Sequence, residues 1–121
     1  MTPLAIAPVL AFFSLLQIPA SAPTMTGKWD VQRQVEGRVG KSVCTFEQQE
    51  KALTGTCTFA GKEVPVNGAI DGDTVTWKQA VNVEGATSLT YTAPLRSEKL
   101  SGNVAVEPLG VTGYFTATRI Q

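Results

Sequence analysis

The sequence predicts an all-β fold, an eight-stranded antiparallel up-and-down meander closed into a barrel and pinned by one disulfide. Three observations carry that expectation. After Gly27, β-branched and aromatic residues recur at every second position, turn residues come about every 12, and no stretch has helical period. Each short connection sets the apolar face of one strand against that of the next. Glycines stand on the inward parity, where bulky aromatics need room.

The hairpins follow in order. A turn about Arg38-Val39 pairs Val31 with Phe46 and Arg33 with Cys44. Strands Val43 to Gln48 and Leu53 to Phe59, joined at Glu50-Lys51, bring Cys44 directly across from Cys57. Cross-strand neighbours lie ~4.5 to 5.5 Å apart, a spacing a disulfide tolerates. Such a bridge would restrain the unfolded chain by roughly 3 kcal/mol. Ala60-Gly61 sets Cys57 against Val64 and Gly55 against Val66. Asp71-Gly72, a strong hairpin dipeptide, sets Gly68 against Val75, Val66 against Trp77 and Val64 against Gln79.

The looser Glu84-Gly85-Ala86 connection places Val81 opposite Leu89, Gln79 opposite Tyr91 and Trp77 opposite Ala93. Ser97-Glu98 aligns Leu95 with Leu100 and Tyr91 with Val104; Pro108-Leu109 aligns Val104 with Gly113 and Gly102 with Phe115. A flat sheet of these strands would leave two edges and an exposed apolar face, so the last strand is expected to close on the first. Gly55, Gly68, Gly102 and Gly113 on the inward parity make space for Phe46, Trp77 and Phe115 and let the sheet curl.

Charge divides the chain. All ten basic and ten acidic side chains lie at or after Lys28, and there is no histidine. Leu4 to Ile18 is an apolar run ending in Pro19-Ala20-Ser21-Ala22, which reads as a secretory signal peptide, residues 1–22, cleaved after Ala22. Its n-region carries only the α-amino charge of Met1. Residues 23–121 are then one exported domain, secreted or periplasmic, with no membrane span after cleavage. A balanced charge argues against nucleic acid and anionic lipid as electrostatic partners. Without histidine, with both cysteines bonded and with no Ser-Lys or carboxylate pair standing out, the chain has no cast for catalysis and no evident metal or cofactor ligand.

Two motifs read as ordinary loop chemistry. Gly37-Arg38-Val39-Gly40-Lys41-Ser42 resembles the tail of a phosphate loop, but Val35 stands where a glycine is required, and a strand follows instead of a helix. Asp71, Asp73, Glu47 and Glu50 are turn and edge residues without the ligand spacing of a calcium loop. Inward polar groups say more. The register places Arg33, Gln79 and Tyr91 inside, with Gln48 pointing inward near Trp29. Burying such groups unpaired costs a few kcal/mol, so they either satisfy one another or, with Trp77 and Phe46 as an apolar floor, line a ligand pocket.

Gly27-Lys28-Trp29 opens the first strand and Arg119 ends the last, both Trp29 and Arg119 on the inward parity, so the guanidinium can stack across the indole. This pairing resembles the calycin superfamily, the lipocalins, fatty-acid-binding proteins and avidins, in which a Gly-x-Trp on the first strand is packed by an arginine from the last. Leu53-Thr54-Gly55-Thr56, Asp71-Gly72-Asp73-Thr74-Val75 and Leu100-Ser101-Gly102 resemble strand-turn signatures of short secreted bacterial barrels. The chain has no room for the lipocalin helix and only two tryptophans, so biotin binding is not implied. The resemblance implies a binding protein for a small apolar or weakly acidic ligand in the lumen. The other expectation is a protein-interaction module for an envelope protein, such as a periplasmic metalloprotease inhibitor, acting through its outer surface, loops such as Val81 to Ser88, or the short arm Pro23 to Thr26.

Overall fold

A computed structural model describes residues 23–83 and 85–121. The signal-peptide expectation falls on residues 1–22, outside the described residues. Eight antiparallel strands follow one another around a closed barrel: β1 (Gly27–Val35), β2 (Arg38–Gln49), β3 (Ala52–Phe59), β4 (Lys62–Asp71), β5 (Thr74–Val83), β6 (Ala86–Pro94), β7 (Lys99–Glu107) and β8 (Val111–Ile120). β8 pairs with β1 from Lys28↔Ile120 to Gln34↔Tyr114, so no edge is left open. Alternation in the sequence becomes alternation in space. Trp29, Val31, Phe46, Trp77, Val104 and Phe115 are buried, while their strand neighbours face solvent. Cys44 and Cys57 face each other with Cα atoms 4.0 Å apart and form the disulfide.

The inward parity is as the sequence predicts, and the β2–β3, β3–β4, β6–β7 and β7–β8 pairings that are formed have the expected register. Three other hairpins slide. The first turn lies at Glu36-Gly37, not Arg38-Val39, which moves Arg33 from Cys44 to Gly40 and Val31 from Phe46 to Ser42. The reason is the turn itself: both central residues have positive φ, 51° at Glu36 and 80° at Gly37, a demand the β-branched Val39 meets badly. Arg38 to Ser42, expected as a hairpin loop, therefore runs in β2.

The β4–β5 turn shifts by one residue to Gly72-Asp73, with Gly72 at φ 64°, so Gly68 faces Trp77 and Val66 faces Gln79. Across β5–β6, Gln79 meets Leu89 and Trp77 meets Tyr91, two residues from the expected partners, and the register then breaks in a bulge between Ala80 and Val83. Each slip is an even number of residues. The inward set survives because a strand has period two. Gly68 shows how tight the result is: a Cβ there would collide with the Thr76 carbonyl oxygen and the Trp77 Cα.

The end of the barrel where β1 starts is shut by the chain itself. Arg119 lies 4.4 Å over the Trp29 ring. Its Nε donates to Ser97 O at 2.8 Å, and its Nη1 and Nη2 donate to Thr26 O and Thr24 O at 2.7 and 2.5 Å. Gly27, at φ 132°, has no side chain because one would strike the same guanidinium at 2.7 Å. Met25 is fully buried; its N–H donates to Gln48 Oε1 and its carbonyl accepts from Trp29 Nε1, both at 2.9 Å. Replacing Arg119 by Ala removes the forked donor and uncovers Trp29. Chemical denaturation should show a loss of about 2 to 4 kcal/mol, with Arg119→Lys recovering only part, because an ammonium cannot span three carbonyls.

Candidate functional site

Midway along the lumen the inward aromatics make a solid plug. Trp77 stacks on Tyr91 with ring centroids 4.9 Å apart and meets Phe46 and Phe115 edge-on at 4.9 and 5.3 Å. Phe115 also abuts Tyr91 edge-on at 5.1 Å. Such offset and T-shaped pairs are preferred packings and add to the apolar burial. An eight-stranded barrel is just wide enough for side chains to fill it. Here these rings fill its middle.

Above the plug, toward the turns at Glu36-Gly37, Ala60-Gly61 and Pro108 to Gly110, the lumen opens into a cavity of about 470 Å³. Its walls are mostly aliphatic and aromatic: Val35 from β1, Phe59 from β3, Val81 from β5, Leu89 from β6, Val106 from β7 and Val111 from β8. Val39, Val83 and Leu109 continue that surface to the rim, where Val39 is 64% and Leu109 53% exposed. Glu36 and Arg38 add charge of both signs at the rim.

Among the described residues, Arg33 is the charged residue that lines the cavity from inside the barrel, Glu36 and Arg38 standing at its rim. Its guanidinium lies 5.3 Å over the Phe59 ring. Nη1 donates to Ser42 Oγ at 3.2 Å and to the Tyr91 hydroxyl at 3.4 Å. Gly40, opposite Arg33 on β2, makes the seat: a Cβ there would come within 2.6 Å of the guanidinium carbon. Among the described residues Arg33 has no carboxylate partner. Arg33 is thus a half-buried cation whose partners among the described residues are neutral oxygens and the Phe59 ring.

Tyr91 and Gln79 sit deeper. Burial pushes the Tyr91 phenol above its ordinary value, against the opposing pull of the nearby Arg33 charge and its hydrogen bond. Gln79 is fully buried, and both its amide oxygen and nitrogen lack a hydrogen-bond partner, as does Trp77 Nε1. Each such orphan costs about 1 to 3 kcal/mol.

The predicted site residues thus divide. Arg33 lines the cavity; Tyr91 does not, but is hydrogen-bonded to Arg33; Trp77 and Phe46 belong to the plug; Gln79 is fully buried across from Leu89 and does not line the cavity. Gln48 serves the closed end, with Oε1 on Met25 and Nε2 donating to Glu50 O at 3.0 Å. Val81 and Leu89, expected as inward partners, line the cavity without having been assigned to a pocket, and Phe59 and Val111, on the same parity of their own strands as Cys57 and Gly113, line it too. Parity marks them as inside; only three-dimensional layering says which inside residues meet empty space. The arm Pro23 to Thr26, one of the surfaces expected to meet a partner, is hydrogen-bonded to the barrel at Thr24, Met25 and Thr26.

The raised Tyr91 pKa has a pH signature. As pH climbs past about 10, the unfolded chain releases this proton before the folded one, so stability falls through that window. Tyr91→Phe should flatten this part of the stability profile in denaturant titrations between neutral and strongly alkaline pH. Compared with known proteins, the chain matches no family model and no curated relative.

Proposed function

We propose that this chain is a non-enzymatic binding protein of an exported compartment that holds a small, mostly apolar acid in the open half of its barrel. The observation that carries the reading is Arg33: a half-buried guanidinium without a carboxylate partner among the described residues, lining an apolar cavity of about 470 Å³. That volume falls within the range of small-molecule sites, which are mostly apolar with a few placed polar groups. The acid group meets Arg33, and the tail runs outward along Phe59, Leu89, Val106 and Val111. The disulfide supports an oxidising location, secreted or periplasmic. Membership of the calycin superfamily is part of the same proposal, supported by the Trp29–Arg119 stack that closes β8 on β1.

A second reading, a surface for an envelope protein, draws on the exposed Val39, Val83 and Leu109 around the same mouth. The two part on one experiment. Displacement of anilinonaphthalene sulfonate by decanoate and by decanol reads occupancy of the cavity. Decanoate should compete well with wild type and about 10- to 100-fold less well with Arg33→Leu, the worth of a charge-assisted hydrogen bond, while decanol changes little. Circular dichroism checks that the variant is folded. Failure of both compounds to bind the wild-type barrel would overturn the small-ligand reading and leave the surface reading standing.

A further inference from the structure

Acid binding uses the inside of the barrel; the outside carries a feature of its own. Across β1, β8, β7, β6 and β5 the ladder aligns Gln34, Tyr114, Asn103, Thr92 and Thr76 in one outward-facing row. Gln32, Thr116 and Ser101 form the row beside it, two residues along each strand. None of these carries a charge, in a chain with ten basic and ten acidic side chains. Charge returns at the border, at Lys41 beside Gln32, at Asp30 and Lys99 on either side of Thr118, and at Lys78. A wall shaped for solubility alone intersperses charges of both signs. A cleft of about 150 Å³ is sunk into this face, lined by Gln32, Gln34, Val39, Tyr114 and Thr116. Arg33 and Phe115, which alternate with them along β1 and β8, complete its lining. Tyr114 is 58% exposed, and its hydroxyl donates to Gln34 Oε1 at 2.8 Å. An apolar ring is thereby held at the cleft, bordered by the Gln34 Nε2 donors, the Gln32 amide and the Thr116 hydroxyl.

An exposed ring among neutral donors and acceptors complements a ligand of the same mixture, apolar C–H faces with a fringe of hydroxyls. A pyranose has that makeup, and a void of this volume holds a six-membered ring. A protein partner fits less well, because the centre of a protein interface is mostly apolar and built on buried anchors. Nucleic acids and anionic glycans need cations, which these rows lack. We infer that the outer face of β1 and β8 is a carbohydrate-binding site. A neutral pyranose stacks on Tyr114 while its hydroxyls bond to Gln32, Gln34 and Thr116, and the row from Asn103 to Thr76 extends the contact along a chain of sugars. The cleft lies on the other side of the barrel wall from the cavity, so this inference stands apart from the acid-binding reading.

Amide NMR titration of the wild-type chain with maltotriose, cellotriose and chitotriose tests it. At least one should bind saturably, with a millimolar Kd or tighter and shifts centred on Gln32, Gln34, Tyr114 and Thr116. Tyr114→Ala should weaken that binding about tenfold, the worth of a good aromatic contact. Tyr114→Phe should cost less, since it keeps the ring and loses only the link to Gln34. Both variants should keep the wild-type spectrum elsewhere, because Tyr114 stands outside the core. Added salt should leave the affinity unchanged, as no charge takes part. Absence of saturable shifts with all three sugars overturns the site. So does binding that Tyr114→Ala leaves intact, binding that weakens steeply with salt, or shifts centred instead on Val83 and Leu109 at the cavity mouth. Line broadening of this face that grows with protein concentration, with no response to sugar, assigns it to a second copy of the chain and overturns the proposal as well.

Discussion

The plug around Trp77 is the contact on which the rest of the lumen depends. Its indole touches Phe46, Tyr91 and Phe115, and the Trp77 backbone packs so closely on Gly68 across the ladder that a Cβ there would strike Thr76 O and Trp77 Cα. Below it the interior is packed down to Trp29 and Met25; above it the interior is open. The position of one large aromatic layer thus decides whether the barrel is a solid or a cup, and at which end the cup opens. Tyr91 is held by the stack, and through Tyr91 so is one of the two oxygens that steady Arg33.

Parity was legible in the sequence because it is local. A residue's face follows from counting in twos from a turn, and errors of two or four residues in a hairpin leave that count unchanged. Val31, Gln79 and Trp77 were therefore placed inside correctly with the wrong partners. Partners depend on which pair of residues takes positive φ, and Glu36-Gly37 wins over Arg38-Val39 on backbone sterics that composition alone ranks poorly. The disulfide register was legible because two independent signals, cysteine count and hairpin symmetry, agreed at Cys44 and Cys57.

The site was legible as a list and not as a place. Arg33 stood out as an inward charge, but whether it emerged beside a filled or an open layer depended on the summed volumes of eight strands. Gln48 and Gln79 look alike in sequence, both inward amides. One is satisfied by an arm of chain that folds back over the closed end, and the other has no partner. No period or spacing separates them, because the difference lies in a contact between residues 25 and 48 that is tertiary in origin.

A meander with an even number of strands returns to the rim from which it set out. Lys28 at the start of β1 and Ile120 at the end of β8 are ladder partners, both beside the sealed floor, while the turns that frame the opening are at the opposite pole. Segregation of this kind separates the chain's ends from the opening. A barrel immobilised through residue 23 or residue 121 would hold its aperture outward. The hairpin tips at Glu36-Gly37 and Pro108 to Gly110 could be re-spelled to reshape the entrance while the Arg119 clasp stays untouched.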